Sequence, residues 1–272
     1  MEQIVLKGLS KQYNHRWVIE DINQSFSCND SYAFVGHNGC GKSTLLRLIS
    51  GLTIPTGGSV EYSRLFRFSY VPEKFKPTAL TGRAYLKRMC EIDRVEKKTS
   101  DQKTEKLAED FFLSEMLDVP MKNLSKGTLQ KIGVLQALIQ EPDILLLDEP
   151  LSGQDQESQK VFIQKINALR DCGTTIFMSC HEKKIIDALA NRIYTIEDKK
   201  LLPYTDLQKQ QCTLYLVPKE KTIHAWENMK RYGAGYTLCT EEEKSQEVIV
   251  KLLTEGWILK GMYDENSQYG EI

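Results

Sequence analysis

The sequence of 272 residues has almost no net charge, with 36 Lys and Arg against 37 Asp and Glu leaving −1. That balance excludes an overall positive field of the kind that drives nonspecific binding to nucleic acid, so a charged partner has to be held by a local site. No two of the seven cysteines, at 28, 40, 90, 172, 180, 212 and 239, have CxxC spacing, and their number is odd. This argues against a disulfide framework and against a zinc site, and it fits a reducing compartment. Long apolar runs are also missing. The strongest in the middle of the chain, Ile144 to Leu147, stops at Asp148, whereas a membrane-spanning helix needs about 20 such residues. The opening stretch MEQIVLKGLSKQY lacks the basic segment, apolar run and small-residue cleavage site of a secretory signal, so the expected location is the cytoplasm. Internal repeats and low-complexity tracts are absent as well.

What is present is the composition of an ordinary soluble domain, 41% hydrophobic. At roughly 150 residues per domain, the length predicts one large domain with a small appendage. Strands are expected at Gln3 to Leu6 and Ser31 to Val35. A helix is expected over residues 42 to 50, with apolar positions Leu45, Leu46, Leu48 and Ile49 and a stop at Gly51. Residues from Leu80 to about Leu124 read as a helical insertion whose charge run is a solvated face. Beyond it, helix at Leu129 to Ile139, strand at Ile144 to Leu147, helix at Ser158 to Asp171 and strand at Thr174 to Met178 alternate. That order predicts an α/β fold with a largely parallel sheet. The large domain is expected to span 1–200, with its helical part at about 80–140. An α/β appendage follows over 201–272, with strand-like Thr213 to Val217, helix-like Lys221 to Arg231, a hinge at Gly233-Ala234-Gly235, helix-like Glu242 to Thr254 and strand-like Trp257 to Met262.

Chemistry concentrates in two places. Residues 36 to 43, Gly-His-Asn-Gly-Cys-Gly-Lys-Ser, satisfy G-x-x-x-x-G-K-[ST] between an expected strand and an expected helix. Glycines let backbone amides close around an anion, and the helix that follows offers free amides and the positive end of its dipole. Lys42 would reach the outer phosphates of a nucleotide, and Ser43 would give a hydroxyl to magnesium. The second place is Ile144 to Glu149, a buried strand ending in two carboxylates. In open parallel sheets ligands gather at the strands' carboxyl ends. Asp148 could hold magnesium there, and Glu149 could polarise a water aimed at the terminal phosphate. His181, after the next strand, is a weaker candidate on spacing alone.

Taken together, these motifs resemble the nucleotide-binding domain of ABC (ATP-binding cassette) ATPases over residues 2 to 200. Leu124-Ser125-Lys126-Gly127-Thr128 lies where that family carries its LSGGQ signature. Leu151-Ser152-Gly153-Gln154-Asp155 is similar to the loop after the second nucleotide motif, and His181 falls at the family's switch histidine. The resemblance implies a phosphate-loop ATPase fold with a mostly parallel core sheet, an antiparallel N-terminal β part and a helical insertion. It implies ATP and Mg²⁺ as cofactors and ATP hydrolysis in a head-to-tail dimer that drives a separate transmembrane permease, with the chain peripheral on the membrane's cytoplasmic face. On this resemblance ATP is bound by Tyr13 stacking on adenine, by Gly36, His37, Asn38, Gly39, Cys40, Gly41, Lys42, Ser43 and Thr44, by Asp155, and by Ser125 and Gly127 acting on the partner's nucleotide. Ser43, Glu73 and Asp148 hold the metal, while Glu149, His181 and Lys42 serve the reaction.

Three departures stand out. Tyr70-Val71-Pro72-Glu73 ends in a carboxylate where the family has Gln. Lys126 and Thr128 replace Gly and Gln in the signature, and Gln154 stands where an apolar residue is usual. YVPE, Leu80-Thr81-Gly82-Arg83 and LSKG resemble the drug, antibiotic and polysaccharide exporter branch, so export is the expected direction. The alternative is a soluble ABC ATPase acting on a ribosome or another cytosolic machine. Such proteins need two cassettes or a long coiled coil, and only 51 positions separate Glu73 from Leu124. A cassette that binds ATP as a switch without turnover is disfavoured by Glu149 and His181.

Overall fold

The computed structural model describes residues 2–151, 154–204, 211–219, 225–226 and 228–264. Two units result, Met1–Tyr204 and Thr205–Ile272.

In the first unit, β1 (Glu2–Tyr13) and β2 (Arg16–Ser27) form a long antiparallel hairpin. β3 (Ser31–Val35) leads through the glycine loop into α1 (Lys42–Ile49), followed by β4 (Gly57–Tyr62) and β5 (Phe68–Val71). The insertion contributes α2 (Gly82–Ile92) and α3 (Lys97–Asp110), and a short 3₁₀ turn at Met121–Asn123 precedes α4 (Lys126–Gln140). β6 (Ile144–Asp148), α5 (Gln156–Asp171), β7 (Thr175–Ser179), α6 (Lys183–Leu189), β8 (Arg192–Glu197) and β9 (Lys200–Pro203) complete the unit.

The core sheet has the order β5-β6-β7-β3-β8-β9, parallel except for the last pair. β6 and β7 are buried at every position, which is why Ile-Leu-Leu-Leu and Thr-Ile-Phe-Met run without polar alternation. Successive residues of β6 point to opposite faces. Ile144 and Leu146 pack with α1 and the β1–β2 hairpin, while Leu145 and Leu147 pack with the helices of the insertion and α5. The separate antiparallel sheet β2-β1-β4 therefore lies over α1. α1 is held between two β layers, and that clamp fixes the loop at its N-terminus.

Because β9 pairs with β8 in the core sheet, the first unit runs to Tyr204 rather than to the expected 200. α4 begins at Lys126, three residues before the expected Leu129, since Ser125 is its cap: the Ser125 hydroxyl accepts from the Thr128 amide at 3.1 Å.

The second unit holds β10 (Gln211–Pro218), β11 (Met229–Tyr232), β12 (Gly235–Glu241), α7 (Glu242–Thr254) and β13 (Trp257–Asp264), with sheet order β11-β12-β10-β13, all antiparallel. Leu214, Leu216, Leu238, Leu252 and Trp257 build its own core. The helix expected over Lys221 to Arg231 is corrected at its end. Met229 to Arg231 are strand, paired with β12, and the expected hinge is a hairpin turn in which Tyr232 pairs with Gly235. Gly233, at φ 55, takes the left-handed conformation that a tight reversal needs. Residues 221–224 and 227 of that expected helix lie outside the described residues.

Candidate active site

The loop between β3 and α1 is shaped by glycines that no other residue could replace without strain. Gly41 has φ 119°, and a Cβ there would sit 3.2 Å from a Val18 methyl and 3.3 Å from the Val18 carbonyl oxygen. No side chain caps α1, and its first turn holds no acidic residue. Its leading amides are therefore free to meet an anion.

These amides open onto a cavity of about 480 Å³ lined by Val18, Asn38, Gly39, Gly41, Lys42, Ser43, Thr44, Glu73, Glu149 and His181. Five separate stretches of sequence thus meet in one place. Lys42 is nearly buried, and its ammonium donates to the carbonyl of Gly36 at 2.7 Å and of His37 at 3.2 Å. Those carbonyls anchor the cation beside the loop, so Gly36 and His37 act through their backbones rather than as lining side chains. Cys40 likewise turns its side chain into the core around α1.

Asp148 lies beneath the cavity, 1% exposed. Its Oδ1 accepts from the hydroxyls of Ser43 at 2.9 Å and Ser179 at 2.8 Å, and its Oδ2 accepts from the Tyr70 hydroxyl at 2.8 Å. The Arg47 guanidinium approaches Oδ2 at 4.0 Å. The sheet explains this convergence. Tyr70 pairs with Leu146 and Asp148 pairs with Ser179, and alternation puts Tyr70, Asp148 and Ser179 on the face toward α1. Ser43 and Arg47, four residues apart, share one side of that helix. Burial first, then the Asp148 charge, pushes the Tyr70 phenol well above its usual value, so Tyr70 is a donor.

Glu149 has φ 48°, an unusual backbone state for a residue with a side chain, costing about 1–3 kcal/mol. Two bonds impose it: the Glu149 amide donates to the Ser179 carbonyl at 3.2 Å and to the Ser179 hydroxyl at 3.1 Å. His181 Nε2 lies 3.0 Å from Oδ1 of Asn38, which only accepts, so Nε2 carries the proton. The same nitrogen is 3.0 Å from Glu149 Oε1. Among the described residues Oε1 is buried with no hydrogen-bond partner, so that second contact is a close approach and not a hydrogen bond. A buried acceptor left open beside a cavity is a mark of a reactive site. Burial raises the Glu149 pKa above the ordinary carboxylate value; His181 and Lys42 oppose the shift, and the charges of Asp148 and Glu73 add to it. A raised carboxyl pKa suits a group that must take a proton near neutral pH.

Several expected residues do not line the cavity. Tyr13, at the tip of the β1–β2 hairpin, is half exposed, with the Lys11 ammonium 4.9 Å from its ring centre. Ser125 and Gly127 are at the start of α4, away from the cavity lining. The Asp155 carboxylate is committed elsewhere. It caps α5, accepting from the amide and hydroxyl of Ser158 at 2.8 Å each, and pairs with Lys131 at 3.2 Å. The Ser158 bonds hold its pKa far below the usual range. The carboxylate thus ties the loop after β6 to α4 and to the start of α5. Ser152 and Gly153 of the same loop lie outside the described residues.

The sequence did not single out Val18, Tyr70, Ser179 or Arg47. All four depend on strand register and helix placement.

The donors fit magnesium in kind. Ser43 and Asp148 are hard oxygen ligands, and Glu73 adds a second carboxylate on the same cavity. Such a set suits an ion that brings nucleotide oxygens and waters with it.

The ABC transporter family model matches residues 19–152. The chain is 30% identical over 199 residues to the zinc import ATP-binding protein ZnuC of Hydrogenovibrio crunogenus, covering 70% of this chain and 77% of the relative. With the O-antigen export system ATP-binding protein RfbB of Klebsiella pneumoniae it shares 33% identity over 184 residues, 67% of this chain and 74% of the relative. Among solved structures, an ATP-binding subunit of an ABC transporter superimposes with a TM-score of 0.68 at 23% identity, covering 73% of this chain and 88% of the other. A dimeric ATP-binding cassette in a post-hydrolysis state with ADP and Pi superimposes with a TM-score of 0.65 at 20% identity, covering 73% and 96%.

Proposed function

The chain belongs to the ABC transporter family as an ATP-binding subunit with that family's ATPase fold, and from this we propose that it hydrolyses ATP at the cavity beside α1 to drive a separate transmembrane permease. The observation that carries the reading is the meeting of Lys42, Ser43, Glu73, Glu149 and His181 on one cavity at the uncapped N-terminus of α1.

In this reading the amides of residues 39 to 44 bind the phosphates, and the Lys42 ammonium leaves the Gly36 and His37 carbonyls to meet the outer ones. Ser43, Asp148 and Glu73 would hold Mg²⁺, which when bound supplies charge neutralisation at the transferring phosphoryl group. Glu149 Oε1, the open acceptor, takes the proton from the attacking water. His181, its Nε2 proton held toward Asn38 Oδ1, orients the water and terminal phosphate. Tyr13 would stack on the base.

Ser125 and Gly127 lie away from this cavity, which supports their acting on the nucleotide of a second cassette, so the active form is a head-to-tail dimer. The capped start of α4 then faces the partner's phosphate. In this reading the translocation path belongs to another chain, and this one sits at the membrane's cytoplasmic face through it; among the described residues no helix is long and apolar enough to cross a membrane. The two relatives differ in direction, one named for zinc import and one for O-antigen export, so the similarity alone does not set it. YVPE, Leu80 to Arg83 and LSKG favour export. Affinity capture of the tagged chain from solubilised membranes tests the transporter reading. A multi-span protein should co-purify in stoichiometric amount, and recovery of ribosomes in its place would refute the reading and favour the soluble alternative.

A further inference from the structure

We propose that Tyr70 is a positioning residue for the metal-holding carboxylate: its hydroxyl fixes Asp148 Oδ2 so that Oδ1, beside Ser43, is the oxygen presented to a divalent cation. The inference rests on the reading of Ser43 and Asp148 as metal ligands and deepens it.

The terminal sp³–sp² torsion of an aspartate is broad and roughly two-fold, so packing alone does not choose which oxygen faces a given direction. Asp148 is locked by two hydroxyls that are not on the nucleotide loop, Ser179 on Oδ1 at 2.8 Å and Tyr70 on Oδ2 at 2.8 Å. Its third donor, Ser43 at 2.9 Å, is the one that must turn away when it gives its own oxygen to a metal. Ser179 then remains as the sole hydroxyl on Oδ1, and a single anchor leaves the carboxylate free to swing. Tyr70 removes that freedom. The Arg47 guanidinium, 4.0 Å from Oδ2 on the same side, adds charge that keeps Oδ2 occupied. Partners that orient a ligating carboxylate typically change metal affinity about 10–100-fold when removed.

The remainder of the tyrosine has a separate job, since its ring packs against the core around α1. Tyr70→Phe keeps that packing and deletes only the hydroxyl. Tyr62→Phe is the matched control, because the Tyr62 hydroxyl donates to the Ile49 carbonyl at 2.9 Å, with no contact to Asp148.

The test measures Mn²⁺ binding by electron paramagnetic resonance on the whole chain saturated with a non-hydrolysable ATP analogue, alongside analogue binding in EDTA. Tyr70→Phe should weaken Mn²⁺ binding by about tenfold or more with analogue affinity in EDTA unchanged. It should also raise the Mg²⁺ concentration for half-maximal ATP hydrolysis while leaving the rate at saturating Mg²⁺ close to wild type. Tyr62→Phe should move neither. Mn²⁺ affinity of Tyr70→Phe within about twofold of wild type, or an equal loss in Tyr62→Phe, overturns the proposal. Failure of the wild type to bind Mn²⁺ more tightly with the analogue than without it instead overturns the underlying assignment of Ser43 and Asp148.

Discussion

Replacing Glu149 by Gln separates the two roles that the cavity combines, holding a nucleotide and activating a water. Glutamine has the same length and leaves the backbone bonds from the Glu149 amide to Ser179 intact, so the left-handed turn at φ 48° should persist. It cannot accept a proton. General base catalysis contributes roughly 10²–10⁴ in rate, which is about 2.7–5.5 kcal/mol of barrier, and turnover should fall by that factor. ATP affinity should be retained or improved, because the change removes a buried negative charge that stands beside Asp148 and Glu73. Phosphate release gives the rate, nucleotide titration the affinity, and light scattering should show an ATP-stabilised dimer. The wild-type pH profile supplies an independent check. Burial raises the Glu149 pKa, so the base is lost to protonation at a higher pH than an ordinary carboxylate. The rate should therefore fall on the acidic side above the normal carboxylate range, and the residual rate of the Gln variant should lack that limb. A variant that turns over within about tenfold of wild type, or one that keeps the acidic limb, would refute the assignment of Glu149.

Two further substitutions probe the surroundings. Gly41→Ala places a methyl against Val18 in a backbone state at φ 119°, and it should cost about 1–3 kcal/mol of stability and weaken nucleotide binding, read by thermal unfolding with and without ATP. Asp155→Ala removes the α5 cap and should cost about 0.5–2 kcal/mol in urea unfolding at neutral pH. The Asp155 pKa is lowered in the folded chain, so its stabilisation is present above the unfolded aspartate value and is lost as pH falls through the folded one. The penalty of the variant should accordingly shrink on acidification; a penalty independent of pH would contradict the cap.

How much of this was legible in the sequence depends on whether the determining contacts are local. The run Gly36 to Ser43 is contiguous, and its loop and helix follow from glycine freedom and apolar spacing. β6 was legible for a similar reason, since four apolar residues ending in two carboxylates suit a strand buried on both faces. The company around Asp148 was not legible. Tyr70 and Ser179 reach it only because β5, β6 and β7 lie side by side in a particular register, and register is a property of the assembled sheet. Asp155 shows the converse. Its position after the second motif suggested a nucleotide contact, while its bonds to the amide and hydroxyl of Ser158, three places on, are visible only in the structure. In the second unit, Tyr236 to Thr240 alternate as a strand should, and the helical reading of the residues before Gly233 hid the hairpin that pairs with them.

The claim on which everything else rests is that the uncapped start of α1 and Lys42 bind the phosphates of ATP. Equilibrium titration of ATP into the wild type and into Lys42→Ala tests it most directly. Loss of a charge-assisted bond worth about 2–3 kcal/mol should weaken binding roughly 30- to 150-fold, without unfolding a chain in which, among the described residues, Lys42 bonds only the Gly36 and His37 carbonyls. Unchanged ATP affinity in a folded Lys42→Ala protein would contradict the account.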